Sequence, residues 1–329
     1  MASSPRPAWQ LTSDLDEFHS RAAALLRSAP ALHTALLSVT DTLRTRGLHV
    51  YGDEDPLFGI RTEGVDHPDH DGHGAHGTHG THGTHGTHGT HGAGPVSGAF
   101  LWTPPHFLAL SPLVGTDIDT DNGIDTAAAD DLAAVLADAG LKLPGVGAES
   151  ATAAAFSAAW QRRTNTTPTV SFPQRLYRLG TLTPPEPAPA GGARVATAAD
   201  RALLVRWHGE YLEAIGERGG TGAGEWADAR IAYGGATLWE TPDGTPVALA
   251  GNTRQVAGQV RVAPVYTPAG LRGRGYGGAA TVAVSRAALA AGADEVLLFT
   301  DVGNPTSNAL YQRIGFRPVR DFTQYGFTD

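Results

Sequence analysis

Apolar positions in the first fifty residues repeat at the helix period. Leu15, Phe18, Ala22 and Leu25 fall on one face, with Ser13 able to cap its start. Leu32, Leu36, Val39 and Leu43 fall on a second face, which stops near Gly47. Shorter apolar runs at 57–60, 96–102 and 107–110 predict strands, whereas 127–139, closed by Gly140, and 151–162 predict helices. Residues 169–182 read as extended chain. This alternation predicts an α/β (α+β) unit.

Residues 183–192 (Thr-Pro-Pro-Glu-Pro-Ala-Pro-Ala-Gly-Gly) interrupt the pattern. Four prolines remove the backbone donors that a helix or a central strand needs, so the segment is expected to link a unit at 1–182 to one at 193–329. Beyond it a short strand is expected at 194–196. Thr197 and Asp200 resemble a capping box, and Leu203, Leu204, Trp207, Tyr211 and Ile215 line the helix that follows. Strands are predicted at 237–240, 247–250 and 256–267, then a helix at 275–291, an apolar strand at 295–300 and a helix at 306–314.

Composition narrows the chemistry. Against 24 basic residues stand 33 acidic ones, a net charge of −9 with no basic run, so no nucleic-acid partner is expected. The absence of cysteine excludes disulfides, thiolate metal sites and a cysteine nucleophile. Neither an apolar leader nor a membrane-length apolar stretch is present, which makes the cytoplasm the expected location, with no membrane partner.

One constellation suits a phosphate ligand. Val265-Tyr266-Thr267-Pro268 is a strand end that runs into Arg272-Gly273-Arg274-Gly275-Tyr276-Gly277-Gly278, where a helix opens. Glycines let the backbone amides approach a pyrophosphate, the helix start adds unpaired N–H groups, and two arginines add charge. Gly-x-Gly-x-x-Gly is absent and no P-loop lysine follows, so neither a dinucleotide fold nor a P-loop is indicated.

Arg272-x-x-Gly275-x-Gly277 after a Val-x-Thr-Pro strand resembles the cofactor motif of the GNAT superfamily of N-acetyltransferases. The block Asn304-Pro305-Thr306-Ser307-Asn308-Ala309-Leu310-Tyr311-Gln312-Arg313-Ile314-Gly315-Phe316 is similar to a second motif of that family. The resemblance covers residues 193–329. It implies a mixed, mostly antiparallel sheet flanked by helices, with acetyl-CoA as acyl donor and direct transfer to a small-molecule or peptide amine. It further implies that Val265, Tyr266 and Thr267 pair with pantetheine through the main chain. The loop Arg272, Gly273, Arg274, Gly275, Tyr276, Gly277 and Gly278 would hold the pyrophosphate, Asn304 the pantetheine arm, and Tyr311 would protonate the departing thiolate. Asn304 also reads as a helix cap and Tyr276 as a packing residue. For the base that deprotonates the amine, Glu240, Asp301, Tyr233 and a water chain remain open. No metal site is expected in this unit.

The first half carries an echo of the second. Phe156-Ser157-Ala158-Ala159-Trp160-Gln161-Arg162 parallels Ser307-Asn308-Ala309-Leu310-Tyr311-Gln312-Arg313, and the order of elements is similar. A degenerate copy of the same fold is therefore expected at 1–182, giving two GNAT-like domains. Its corresponding loop, 115–119, is acidic and lacks the arginine–glycine pattern, and Trp160 is no acid. Such a copy would be structural or would help form the acceptor site. Two other readings stand beside the enzyme: a non-catalytic acyl-CoA sensor, which an acceptor pocket blocked by the first half would favour, and a metal-binding protein built on histidines.

Those histidines are His67, His70, His73, His76, His79, His82, His85, His88 and His91, one at every third position in a Gly/Thr-rich insertion at about 66–94. That much glycine disfavours a helix, and without fixed geometry the imidazoles make a poor metal site. Protonating all nine would bring the formal charge from −9 to zero. Solubility is therefore expected to fall as pH drops through the histidine range. Deleting 66–92 should abolish that loss in a turbidity titration; unaltered precipitation would refute the assignment.

Overall fold

The computed structural model describes residues 8–63, 94–114, 123–216 and 222–328. The histidine tract and the acidic loop at 115–119 lie outside the described residues.

The first half runs β1 (Ala8–Thr12), α1 (Leu15–Ser28), α2 (Thr34–Arg46), β2 (Leu57–Thr62), β3 (Val96–Trp102), β4 (Leu108–Leu110), α3 (Thr126–Asp138), β5 (Gly145–Glu149), α4 (Ser150–Thr164) and β6 (Thr167–Leu179). The second half runs β7 (Gly192–Val195), α5 (Arg201–Ala214), α6 (Ala223–Ala232), β8 (Ala236–Glu240), β9 (Pro246–Asn252), β10 (Gln259–Tyr266), α7 (Tyr276–Ala290), β11 (Glu295–Asp301), α8 (Pro305–Arg313) and β12 (Phe316–Thr328). Local chemistry explains the boundaries. Asp14 rather than Ser13 caps α1, because its carboxylate accepts from the N–H groups of both Asp16 and Glu17. The Thr197–Asp200 capping box forms as expected, with the Thr197 N–H donating to Asp200 at 2.8 Å. Helix α6 was not anticipated, since its one buried residue, Ala227, leaves no apolar stripe to read. The strand expected from 256 begins only at Gln259, because Ala257 and Gly258 both take positive φ and turn the chain.

The halves share one topology. Strands β1, β2, β3 and β4 pair antiparallel in turn, and β4 then pairs parallel with β5 across the connection through α3. Likewise β7, β8, β9 and β10 pair antiparallel, and β10 pairs parallel with β11 across α7. The first half is thus a second copy of the fold.

The final strands are exchanged. In the twelve-stranded sheet the order is β1-β2-β3-β4-β5-β12-β6-β11-β10-β9-β8-β7. The last strand of the first half, β6, pairs with β11 of the second, and β12 returns to pair with β5 of the first. They also pair with each other, Phe316 facing Leu179 at one end and Thr328 facing Thr167 at the other. The exchange reaches both cores. Tyr177 on β6 is 0% exposed inside the second half, packed with Val296, Leu298 and Phe316. Reciprocally, Phe327 on β12 stacks on Trp160 of the first half, ring centroids 6.1 Å apart. Arg175 and Asp321 join β6 and β12 by two parallel hydrogen bonds of 2.6 and 2.8 Å. Among the described residues no helix is long and apolar enough to cross a membrane.

Residues 193–329 alone would leave one edge of β11 and both edges of β12 unpaired and lose the buried Leu176 and Tyr177, each worth about 1.5–3 kcal/mol of burial. That fragment is expected to aggregate, and co-expression with 1–192 is expected to restore a soluble complex. A monomeric 193–329 with the cooperative unfolding of the full chain would contradict the exchange.

Candidate active site

Strands β10 and β11 pair only from Gln259–Glu295 to Arg261–Leu297 and then diverge. Against β9 the register of β10 shifts between Val262 and Val265, and Pro264 in that bulge has no N–H to offer a neighbour. The opening is the mouth of a cavity of about 1010 Å³, lined by Val262 through Thr267 of β10 and its continuation and by Phe299, Thr300 and Asp301 of β11.

At one end of the cavity stands the glycine loop. Gly273 and Gly275 take φ of +78° and +82°, values that a β-carbon strains, and Gly275 is the N-cap of α7 with no side chain capping it. The first-turn amides of α7 have no partner within the helix, and its dipole favours an anion there. A β-carbon on Gly277 would come within 3.1 Å of the Thr267 hydroxyl, and one on Gly278 within 2.8 Å of Leu310. Hydrogen keeps that floor open. Arg272 donates its Nε–H to the Thr267 carbonyl at 3.0 Å, which holds its guanidinium beside the loop.

Helix α8 forms the opposite wall. Asn304 caps it, accepting the Ser307 N–H at 3.0 Å through its amide oxygen, so its NH₂ remains a donor at the cavity edge. Tyr311, 8% exposed, reaches the cavity two turns later and packs edge-on against Phe316. Burial, with a smaller effect of Tyr211, pushes its phenol well above the ordinary range. The Tyr266 hydroxyl donates to Glu210 at 2.5 Å. Burial first, then that carboxylate, push its pKa up to about 12.

The cavity brings together Val265, Tyr266, Thr267, Arg272, Gly273, Gly275, Tyr276, Gly277, Gly278, Asn304 and Tyr311. Arg274 stands apart: it donates to the Gly270 carbonyl at 3.3 Å and does not line the cavity. Of the candidate bases, Glu240 is engaged by Arg194 at 2.7 Å and Tyr233 donates to the Asn252 carbonyl at 2.6 Å, and neither lines the cavity. Asp301 does line it, with Oδ1 accepting the Gly303 N–H at 2.7 Å.

The remaining walls come from the first half and the exchanged strands. Leu32 and Leu36 beside and on α2, Leu108 and Leu110 on β4, Phe172 and Gln174 on β6, and Phe322 and Gln324 on β12 all face the same space. Trp160, the topological counterpart of Tyr311, is 1% exposed between Phe156 and Phe327 and contributes nothing to the cavity. Sequence reading missed Arg261, which also lines it. The available signal was a lone charge at an alternate position of an otherwise apolar strand, Val260 to Val265. The β6 and β12 residues carried no such signal, because nothing local reveals a strand's destination.

The family model described as FR47-like protein matches residues 246–325. Among solved structures, a GCN5-related N-acetyltransferase from Sphaerobacter thermophilus is 17% identical, with 96% of this chain and 94% of that one covered and a TM-score of 0.52. A tandem GNAT protein from the clavulanic acid biosynthesis pathway is 11% identical, covering 96% and 97%, at 0.50. A GCN5-related N-acetyltransferase from Kribbella flavida is 21% identical, covering 71% and 87%, at 0.50. No curated protein matches the chain significantly. At these identities the structural likeness speaks for the fold, and the matched segment runs from β9 to within β12, across the glycine loop and α8. The segment from β9 into β12 thus matches an FR47-like family model, and the chain has the fold of the GCN5-related and tandem GNAT structures, in two copies.

Proposed function

We propose that the protein transfers an acetyl group from acetyl-CoA to a primary amine by direct attack, with the chemistry in the second half. What carries this reading is the single cavity onto which the diverging strand β10, the uncapped glycine start of α7, Asn304 and Tyr311 all open. The residues present fit the coenzyme. Unpaired amides of the first turn of α7 suit a diphosphate, and Arg272 adds charge beside them. Main-chain groups of Val265 to Thr267 on the side where β11 has diverged suit the amides of a pantetheine arm, with the NH₂ of Asn304 as a further donor.

The chemistry follows from the same groups. The amine nitrogen attacks the thioester carbonyl, and negative charge grows on its oxygen, where a fixed N–H of Val265 or Tyr266 stabilises it. The carbon–sulfur bond then breaks, and Tyr311 supplies the proton that sulfur needs. A phenol held neutral by burial is a reluctant acid in water. In the same buried surroundings a bare thiolate is penalised as well, so the proton moves as the bond breaks. The ammonium form of the acceptor must first shed a proton, and Asp301 is the one carboxylate among the described lining residues. The tyrosinate regains its proton from that released by the amine, through solvent.

Space beyond Tyr311, walled by the first half, favours transfer over a sensor that only binds the coenzyme, because an acceptor has room to enter. Thiol release from acetyl-CoA against a panel of amines tests the activity. Tyr311→Phe is expected to lower kcat about 10²-fold while leaving the coenzyme's dissociation constant within about threefold. Unchanged turnover would remove Tyr311 from the mechanism, and no thiol release with any amine would favour the sensor.

A further inference from the structure

Among the described residues Arg261 lines the cavity without a carboxylate partner. Its guanidinium lies over the Phe299 ring, 6.0 Å from the centroid. The charge that bears on it is of the same sign: Arg230 on α6 has its pKa pulled down to about 10, first by burial and then by Arg261. Arg230 itself donates to the Tyr233 hydroxyl and the Asn252 carbonyl, both uncharged. The Tyr51 phenol acts on both guanidiniums in the favourable direction but is no carboxylate. Burial lowers the proton affinity of Arg261, yet a guanidinium does not escape by losing its proton. Two enclosed like charges with no carboxylate partner among the described residues disfavour the folded state, and an anion arriving at Arg261 from the cavity would relieve that.

The opposite sign stands at the other end of the same strands. Arg261 faces Leu297 in the parallel register, so Asp301 lies as far along β11 as Val265 lies along β10. At the rise of a strand that separation is roughly 13 Å between α-carbons. Phe299 lies midway, and Phe172 and Phe322 face the same space. Among the described lining residues the cavity therefore carries its one carboxylate, Asp301, beside the candidate acyl-transfer point, aromatic rings in the middle and Arg261 at the far end, while Arg272 and Arg313 line it from the glycine loop and α8.

From this polarity we propose that the acceptor is an amine borne on an apolar chain or ring that carries a carboxylate at its other end, with Asp301 receiving the ammonium and Arg261 the carboxylate. The inference rests on the acetyltransferase reading for the fate of the amine, but not for the binding itself. The planar guanidinium offers the paired donors that a carboxylate accepts side by side, and the aromatic stretch sets the spacing. Glycine, whose two charges are adjacent, cannot reach both ends.

The test is calorimetric titration of the full chain, with and without coenzyme A, using matched ligands: 6-aminohexanoate against hexylamine, and 4-(aminomethyl)benzoate against benzylamine. At pH 7 each carboxylated amine is expected to bind at least about tenfold more tightly than its partner, with glycine undetected. Arg261→Gln should erase the difference and Arg261→Lys should retain part of it. Thermal unfolding supplies the second readout. Removing an uncompensated buried charge is expected to leave the melting temperature of Arg261→Gln equal to or above the parent's, whereas an arginine kept only for structure would lower it. Equal binding of each pair by the parent, or a preference that survives Arg261→Gln, overturns the proposal. A stronger preference for 6-aminohexyl phosphate overturns the carboxylate and assigns the basic end to phosphate. The two readings fail separately: carboxylate-dependent binding without acetyl transfer to any amine sinks the enzyme alone, and acetyl transfer indifferent to the carboxylate sinks this proposal alone.

Discussion

The structure depends on the exchange of β6 and β12 between its two halves. A parallel pair made through a helical connection leaves the second strand of the pair with one free edge, and both halves contain such a pair. Each half closes the other's free edge with its own last strand, and the two strands then pair along their length to give one continuous sheet. The consequence reaches the chemistry. Tyr177 of β6 donates to Asn308 at 2.9 Å and accepts from Gln312 at 3.1 Å, both on the helix that carries Tyr311. A residue of the first half thereby holds the wall of the second half's cavity.

Two copies of one fold need not keep two sites. In the second half the helix after the fourth antiparallel strand starts at uncapped Gly275, which leaves its first amides available. In the first half the corresponding helix α3 starts at Asp125, whose carboxylate accepts the Ala128 N–H at 2.8 Å and puts a negative charge where an anion would sit. Trp160 is locked in an aromatic stack where the second half has Tyr311. The first copy has kept the scaffold and lends the second its walls, which is a reason for the pair to be retained together.

Much of this was legible in the sequence, and the parts that were not share a cause. Helices and strands with strong periodicity emerged near their expected positions because local burial dictates them: β3 and α3 are examples. The glycine loop was legible because its conformation demands residue types that little else tolerates. The Trp160 and Tyr311 segments disclosed the repeat because both lie on the helix before the last strand. What stayed hidden was non-local. Nothing within Thr167–Leu179 states that it will lie beside β11 rather than β5, and the roles of Phe172 and Gln174 follow only from that choice. Arg261 differs: its place in an apolar strand is visible, but its lack of an acidic partner among the described residues belongs to the tertiary structure alone.

The central claim is that one coenzyme A diphosphate is gripped by the main-chain nitrogens at the start of α7, and that the first half offers no second such grip. Isothermal calorimetry of acetyl-CoA into the intact chain measures this directly. The account predicts a saturable exothermic curve with one site per chain, lost when Gly277 is replaced by valine. No heat from the folded protein, two equivalent sites, or binding indifferent to that substitution would contradict it.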